Sequence, residues 1–187
     1  MAKMAGFDVV IPDGNEEKFI EVALALSYTE LVFLSGKPNY SYQSRNPTIR
    51  IRTAYLARDP SEINHAKKRF DLVFAPAERR YFESKADYIY NIERSDRRDS
   101  FHYKSTFLNQ VHAVLAKGRG SCMVFNFSSL LDAKSFSELL IVLGRMMQNA
   151  VLIRKYRLKH DSFSLAKEPH EMRSKEVLSS LIRVVGL

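Results

Sequence analysis

A TIM-type (β/α) barrel, compact and incomplete, spanning residues 1–187 as one domain, is the fold class this sequence predicts. Three observations predict it. Short apolar runs alternate with helical patterns about seven times, and parallel strand neighbours need such crossover connections. The runs are almost continuously apolar, as in a sheet covered on its outer face, and that many units in one short chain favour a closed barrel over an open doubly wound sheet. Finally, 187 residues fall short of the roughly 200 to 250 that eight units take. The eighth strand and helix are therefore expected to be absent or supplied otherwise.

The elements follow in order. GFDVVIP (6–12) is the first strand, and a helix follows over 13–27, with Asp13 and Glu16 at capping-box spacing and Phe19, Ile20, Ala23 and Leu24 at helical spacing. ELVFLSG (30–36) is the second strand. The next stretch, KPNYSYQSRNP, has two prolines and no helical period, so the second crossover is expected to be a loop. TIRIRTAYLA (48–57) is the third strand, and Asp59, Pro60 and Glu62 then mark a helix start. DLVFAPA (71–77) and DYIYNIE (87–93) are the fourth and fifth strands, joined by a short helical ERRYFESKA.

A cationic loop, RSDRRDSFHYK, leads to a helix that stops near Gly118 and Gly120. SCMVFNF (121–127) is the sixth strand. Its helix starts at Ser135, with Glu138 three residues on, and is expected to bury Phe136, Leu139, Leu140, Leu143, Met146, Met147 and Ala150. SFSLAKE (162–168) is the seventh strand. MRSKEVLSSLIRVVG is the last helix, whose apolar stripe, Leu178, Leu181, Ile182, Val184 and Val185, needs cover. An unclosed ring would leave strand edges that favour association, so the first and seventh strands are expected not to close fully, with a partner subunit or second copy shielding the gap.

The chain carries a net charge of +8, with 45% apolar and 11% aromatic residues. A field of that sign favours polyanions, nucleic acid first among them. Cys122 is the only cysteine, so an intramolecular disulfide and a cysteine zinc cage are excluded, and it reads as a buried hydrophobe. No apolar run approaches the roughly 18 residues of a membrane span and no signal-peptide pattern opens the chain. A soluble, cytoplasmic protein without membrane contact is expected.

Little in the sequence is catalytic. His65, His102, His112, His160 and His170 form no H-x-H or H-E-x-x-H pattern and read as surface or satisfied structural residues. Asp87, Glu93, Asp96 and Asp99 cluster near the fifth strand and could hold Mg²⁺, but Arg94, Arg97 and Arg98 stand among them, so salt-bridged loop residues are the better reading. Dinucleotide and P-loop glycine motifs are missing, and KGRGS (117–121), which could cradle a phosphate, reads as a helix C-cap.

Basic runs recur instead: RNPTIRIR, AKKRF, ERRYF, RSDRR and RKYRLKH, several with an adjacent Tyr or Phe. Arginine suits bidentate phosphate contacts, and a neighbouring ring offers a stacking surface for an unpaired base. Arg94, Arg97 and Arg98, just after the fifth strand where barrel loops converge, and Arg173, which precedes the last helix, are the leading RNA-binding candidates. Lys104, Arg119, Arg154, Lys155, Arg157 and Lys159 come next.

Between Asp87 and Leu187 an apolar strand runs into Phe125–Leu131, followed by the helix middle Arg145–Asn149, Lys155 with Tyr156, the strand end Phe163–Ala166, and Arg173 before the last helix. In these stretches the second half resembles the archaeal and eukaryotic ribonuclease P protein component 3, the thirty-kilodalton subunit family. The first half is similar only in the order of its elements. The resemblance implies a (β/α) barrel that usually runs on into an eighth unit. It also implies a non-catalytic subunit of the endoribonuclease that removes the 5′ leader of precursor tRNA, binding no cofactor itself, with Mg²⁺ held by the catalytic RNA. Implied partners are ribonuclease P RNA, precursor tRNA, a small ferredoxin-like subunit and other ribonuclease P proteins. The alternative is a metal-dependent barrel phosphoesterase of the polymerase-histidinol phosphatase type, which needs a convergent metal site.

Overall fold

A computed structural model describes residues 6–44, 46–95, 98–100 and 104–187. Seven parallel strands form one sheet in the order β1 to β7: Asp8–Val10, Glu30–Ser35, Arg50–Leu56, Leu72–Pro76, Tyr88–Tyr90, Cys122–Asn126 and His160–Phe163. Every neighbouring pair is consecutive in sequence, so the sheet winds one way and curls into a barrel. Side chains alternate in and out along each strand. The inward set, including Val9, Val32, Leu34, Ala54, Phe74, Val124 and Phe163, packs the lumen. Phe163 stands 5.3 Å from Phe7 and 5.6 Å from Tyr88, and Tyr88 stacks on Phe74 at 4.6 Å, so the interior is a packed core.

Helices α1 (Glu16–Ala25), α2 (Ile63–Ala66), α3 (Arg79–Phe82), α4 (Gln110–Arg119), α5 (Ser128–Leu131), α6 (Phe136–Tyr156) and α7 (Lys175–Val184) surround the sheet. The β2–β3 crossover has no helix among its described residues, as its prolines predict. Asp59 caps the 3₁₀ turn Pro60–Glu62 with a reciprocal capping box, but the helix expected there is only the single turn α2. Asp13 does not cap α1. The N-cap is Asn15, whose side chain makes no capping bond and instead accepts from the Asp13 N–H at 3.0 Å.

Ser135 accepts from the Glu138 N–H at 3.2 Å, the predicted cap of α6. Ser135→Ala should lower unfolding free energy by about 1 kcal/mol; an unchanged melting temperature would show that this cap is dispensable. Gly120, at φ 73°, ends α4 in the left-handed conformation that glycine adopts without strain. Gly118 lies inside the helix.

Three expectations are corrected. First, α6 is turned from its expected phase: Met146 and Ala150 are buried as expected and Leu143 packs against the core, but Arg145, Asn149 and Ile153 are buried too, whereas Phe136 is 73% exposed, Leu140 51% and Met147 48%. Arg145 and Asn149 make the inward face partly polar, a choice periodicity alone does not reveal. Second, α6 is long and apolar enough to cross a membrane, contrary to the reading of the runs, although one side of it belongs to the barrel core. Third, the stripe of α7 needs no partner. Leu178, Leu181, Ile182 and Val185 are buried, three of them in one cluster with Met123 and Phe125 of β6, and only Val184 of the expected set is exposed.

The seam between β7 and β1 has no continuous ladder, as expected, yet it is not an open edge. β7 begins two residues before its expected start, and the following residues cross to β1. The Leu165 N–H donates to the Val9 carbonyl at 2.9 Å and the Ile11 N–H to the Ala166 carbonyl at 2.8 Å. Leu165 adopts φ 47°, a left-handed conformation disfavoured for a side chain of this kind. Buried Asp8 completes the stitch. Its carboxylate accepts from the Val9 N–H at 2.8 Å, the Ser164 N–H at 2.8 Å and the Ser164 hydroxyl at 2.5 Å.

Candidate nucleic-acid interface

The end of the barrel where strands finish carries active sites in folds of this kind, and here it is a web of paired groups. Arg94, after β5, donates to Asp132 at 2.7 Å and to the Ser129 hydroxyl at 3.4 Å. Ser129 in turn donates to Glu93 at 2.6 Å. Arg145 donates through Nε to Asp99 at 2.9 Å and through Nη1 to the Ser95 carbonyl at 3.1 Å. Lys104 stands 3.6 Å from the same Asp99. Asn126 donates to Asn91 at 2.8 Å across the top of the lumen. A cleft of about 370 Å³ opens among these groups.

Burial pushes the Glu93 carboxyl up to about 7, with the Ser129 hydroxyl opposing the shift. Asp99 goes the other way. Burial alone would raise it, but the Ser105 N–H and the Arg145 guanidinium hold it below its ordinary value. The carboxylates near the fifth strand do not converge. Asp87 lies at the opposite end, where it pairs with Lys67 at 2.6 Å, and Asp96 lies outside the described residues. No group of three His, Cys, Asp or Glu side chains stands together among the described residues.

The histidines are likewise scattered. His112 is buried, stacked 4.4 Å from Phe82 and bonded to the Phe107 carbonyl at 2.5 Å. The His160 ring meets the Leu158 carbonyl at 3.2 Å, and His102 lies outside the described residues. Cys122 is a half-buried free thiol whose pKa burial pushes upward.

The predicted RNA-binding residues divide between the two ends. Arg94, exposed Arg98, Lys104 and Arg173 lie at the strand-finish end, and Arg97 lies outside the described residues. Arg173 is occupied within the fold: it donates to the His170 and Met172 carbonyls at 3.0 and 2.8 Å and stacks 5.3 Å from the Phe127 ring. Arg119 closes α4, Arg154 and Lys155 close α6, Arg157 caps it, and Lys159 precedes β7. These five side chains are exposed at the strand-start end. Lys67, within the basic run AKKRF but not singled out there, and Lys85, which the sequence reading did not name, join them at that end; Lys85 stands alone between α3 and β5 and carries no local signal.

Aromatic neighbours of two basic runs are corrected as stacking surfaces. Phe70 is 7% exposed, and Tyr81 and Phe82 are 0%, so they fill the core and cannot meet a base.

Fold and site define a seven-stranded parallel (β/α) barrel with a packed lumen, an ion-paired strand-finish end and a basic strand-start end. A chain in the cryo-EM structure of archaeal ribonuclease P with mature tRNA has this fold, with a TM-score of 0.74 at 15% identity over 96% of this chain and 82% of that one. A crystal structure of an uncharacterized protein is similar at a TM-score of 0.55, with 11% identity over 96% of this chain and 70% of that one. No family model and no curated protein matches the sequence.

Proposed function

We propose that this chain is a protein subunit of a ribonuclease P ribonucleoprotein, of the component 3 type, which binds and supports the RNA that removes the 5′ leader of precursor tRNA. The observation that carries this reading is the barrel it shares, along nearly its whole length, with a chain of archaeal ribonuclease P with mature tRNA. The +8 charge and the pairing of carboxylates with arginines at the usual active-site end support a binding role over a hydrolytic one. In this reading Mg²⁺ belongs to the RNA, the protein is not itself the catalyst, and the particle works in the cytoplasm.

Its partners are the catalytic RNA, precursor tRNA and other ribonuclease P proteins, among them a small ferredoxin-like subunit. The exposed apolar residues of α6, Phe136, Leu140, Met147 and Val151, are the face we assign to a protein partner. Leu140→Asp should abolish partner pull-down while leaving the melting temperature near that of the wild type.

Reconstituted cleavage of precursor tRNA tests the whole reading. RNA alone should require high Mg²⁺, and adding the protein should lower that requirement. Equal rates with and without protein across the Mg²⁺ series would overturn it.

A further inference from the structure

We propose that the strand-start end of the barrel, opposite the usual active-site end, carries a phosphate-binding cleft for an RNA sugar-phosphate backbone, centred on Lys85, Arg119 and Lys159. This rests on the RNA-binding reading above and specifies which end of the molecule serves it. The cleft measures about 540 Å³ and lies between the C-terminal end of α4 at Gly118 to Gly120 and the first residues of β4, β5 and β6. That volume accommodates a phosphodiester and its flanking sugars.

Its charges are unbalanced. Among the described residues Asp87 is the only acid lining it, and that carboxylate is already used twice: one oxygen takes the Lys67 ammonium at 2.6 Å and the other accepts from the Val73 N–H at 2.9 Å. Lys67 and Asp87 therefore cancel, leaving Lys85, Arg119 and Lys159 without an ion pair among the described residues. Burial pushes the Cys122 thiol and the Tyr88 phenol upward, toward their neutral forms, and Asp161 acts on both in the same direction.

Helix dipoles explain part of the pattern, since Lys117 and Arg119 occupy the last turn of α4, where cations offset the partial negative charge. They do not explain Lys85, between α3 and β5, or Lys159, between α6 and β7, which end no helix. Gly120 matters to the approach. A Cβ there would stand 4.0 Å from the Lys159 ammonium, and Gly118 faces open space, so the turn leaves its backbone accessible beside two cations. A second, smaller cleft of about 250 Å³ shares Lys85 and Arg119, but its other cation, Arg80, is paired with Asp59 and Glu78, and Glu83 also lines it, so the unpaired charge stays centred on the first cleft. At the other end, by contrast, Arg94, Lys104 and Arg145 already face carboxylates.

Phosphate contacts carry no sequence information, and each one neutralised contributes to the salt dependence of binding. The triple variant K85E/R119E/K159E should keep the wild-type melting temperature, because none of the three has an ion pair to lose among the described residues. Binding is read by filter retention of two probes, a transcribed ribonuclease P RNA and an unrelated tRNA. Affinity should fall about 30-fold or more at 100 mM salt, to the same degree for both probes, with the log–log salt slope reduced by roughly two to three. A control, Lys18→Glu on the exposed face of α1, should fall less than 3-fold. If the wild type binds both RNAs and the triple variant matches it in affinity and slope, this cleft is excluded while the ribonuclease P reading stands. If the wild type binds neither RNA, the functional reading itself fails.

Discussion

Asp8→Ala should cost the barrel about 2 to 5 kcal/mol at pH 5, because it leaves the buried Val9 and Ser164 N–H groups without an acceptor at the one place where the ring has no ladder. Asp8→Asn should behave differently, since the amide oxygen keeps those N–H bonds and the amide nitrogen can donate to the Ser164 hydroxyl. Burial raises the Asp8 carboxyl from 3.8 to about 6, against the opposing pull of its three hydrogen bonds. A folded pKa above the unfolded one means the native state binds the proton more tightly, so stability is full below about pH 4 and is lost as pH rises through 6. Glu93, raised from 4.5 to about 7, adds a loss of the same sign.

Wild-type unfolding free energy should therefore decline between pH 5 and pH 8, and Asp8→Asn should recover up to roughly 3 kcal/mol at the upper end. Urea midpoints at the two pH values decide it. A wild type that gains stability over this range, or an Asp8→Ala variant within 1 kcal/mol of it, would contradict the seam described above.

Arg145→Met should be the most damaging change on α6, at about 3 kcal/mol, the low end for a broken buried pair, because it leaves the mostly buried Asp99 with only the half-exposed Lys104, 3.6 Å away, as countercharge. Asp99 Oδ1 also accepts from the Ser105 N–H at 2.8 Å, and Gln148 of α6 brackets the Lys104 backbone with bonds of 2.7 and 2.6 Å. The pairing ties the segment after β5 to the helix that covers β6. Hydrogen exchange at Lys104 and Ser105 should quicken in Arg145→Met, and the double change with Asp99→Asn should restore much of the lost stability. If the single variant matches the wild type in both stability and exchange, the segment is held by something else.

Element order was legible because strand composition and crossover length are local properties. Apolar runs at β2, β4 and β6, the Asp59 box and the Ser135 cap all stand where their residues put them. What failed depended on neighbours. The phase of α6 was misread because Phe136, Leu140 and Met147 outscore Arg145 and Asn149 on apolarity, while the fold buries the latter pair, Arg145 against Asp99 and the Ser95 carbonyl. Asp8 looked like an ordinary strand residue, and only the arrival of Ser164 gives it a role. The basic runs were visible, but not which cations would be paired: Arg94 meets Asp132 only through tertiary structure, and Lys85 and Arg119 meet across a cleft that no local pattern encodes.

The stitch between Asp8 and Ser164 joins residues 156 positions apart. Six ladders between sequence neighbours can zip up progressively, each closing a modest loop, but this contact becomes favourable only when both flanks of the curved sheet already stand near each other. Ring completion is thus placed late on the folding route, after the rising limb of structure formation. Substitutions at Asp8 or Ser164 should speed unfolding while leaving the refolding rate almost unchanged, the kinetic mark of a bond absent from the transition state.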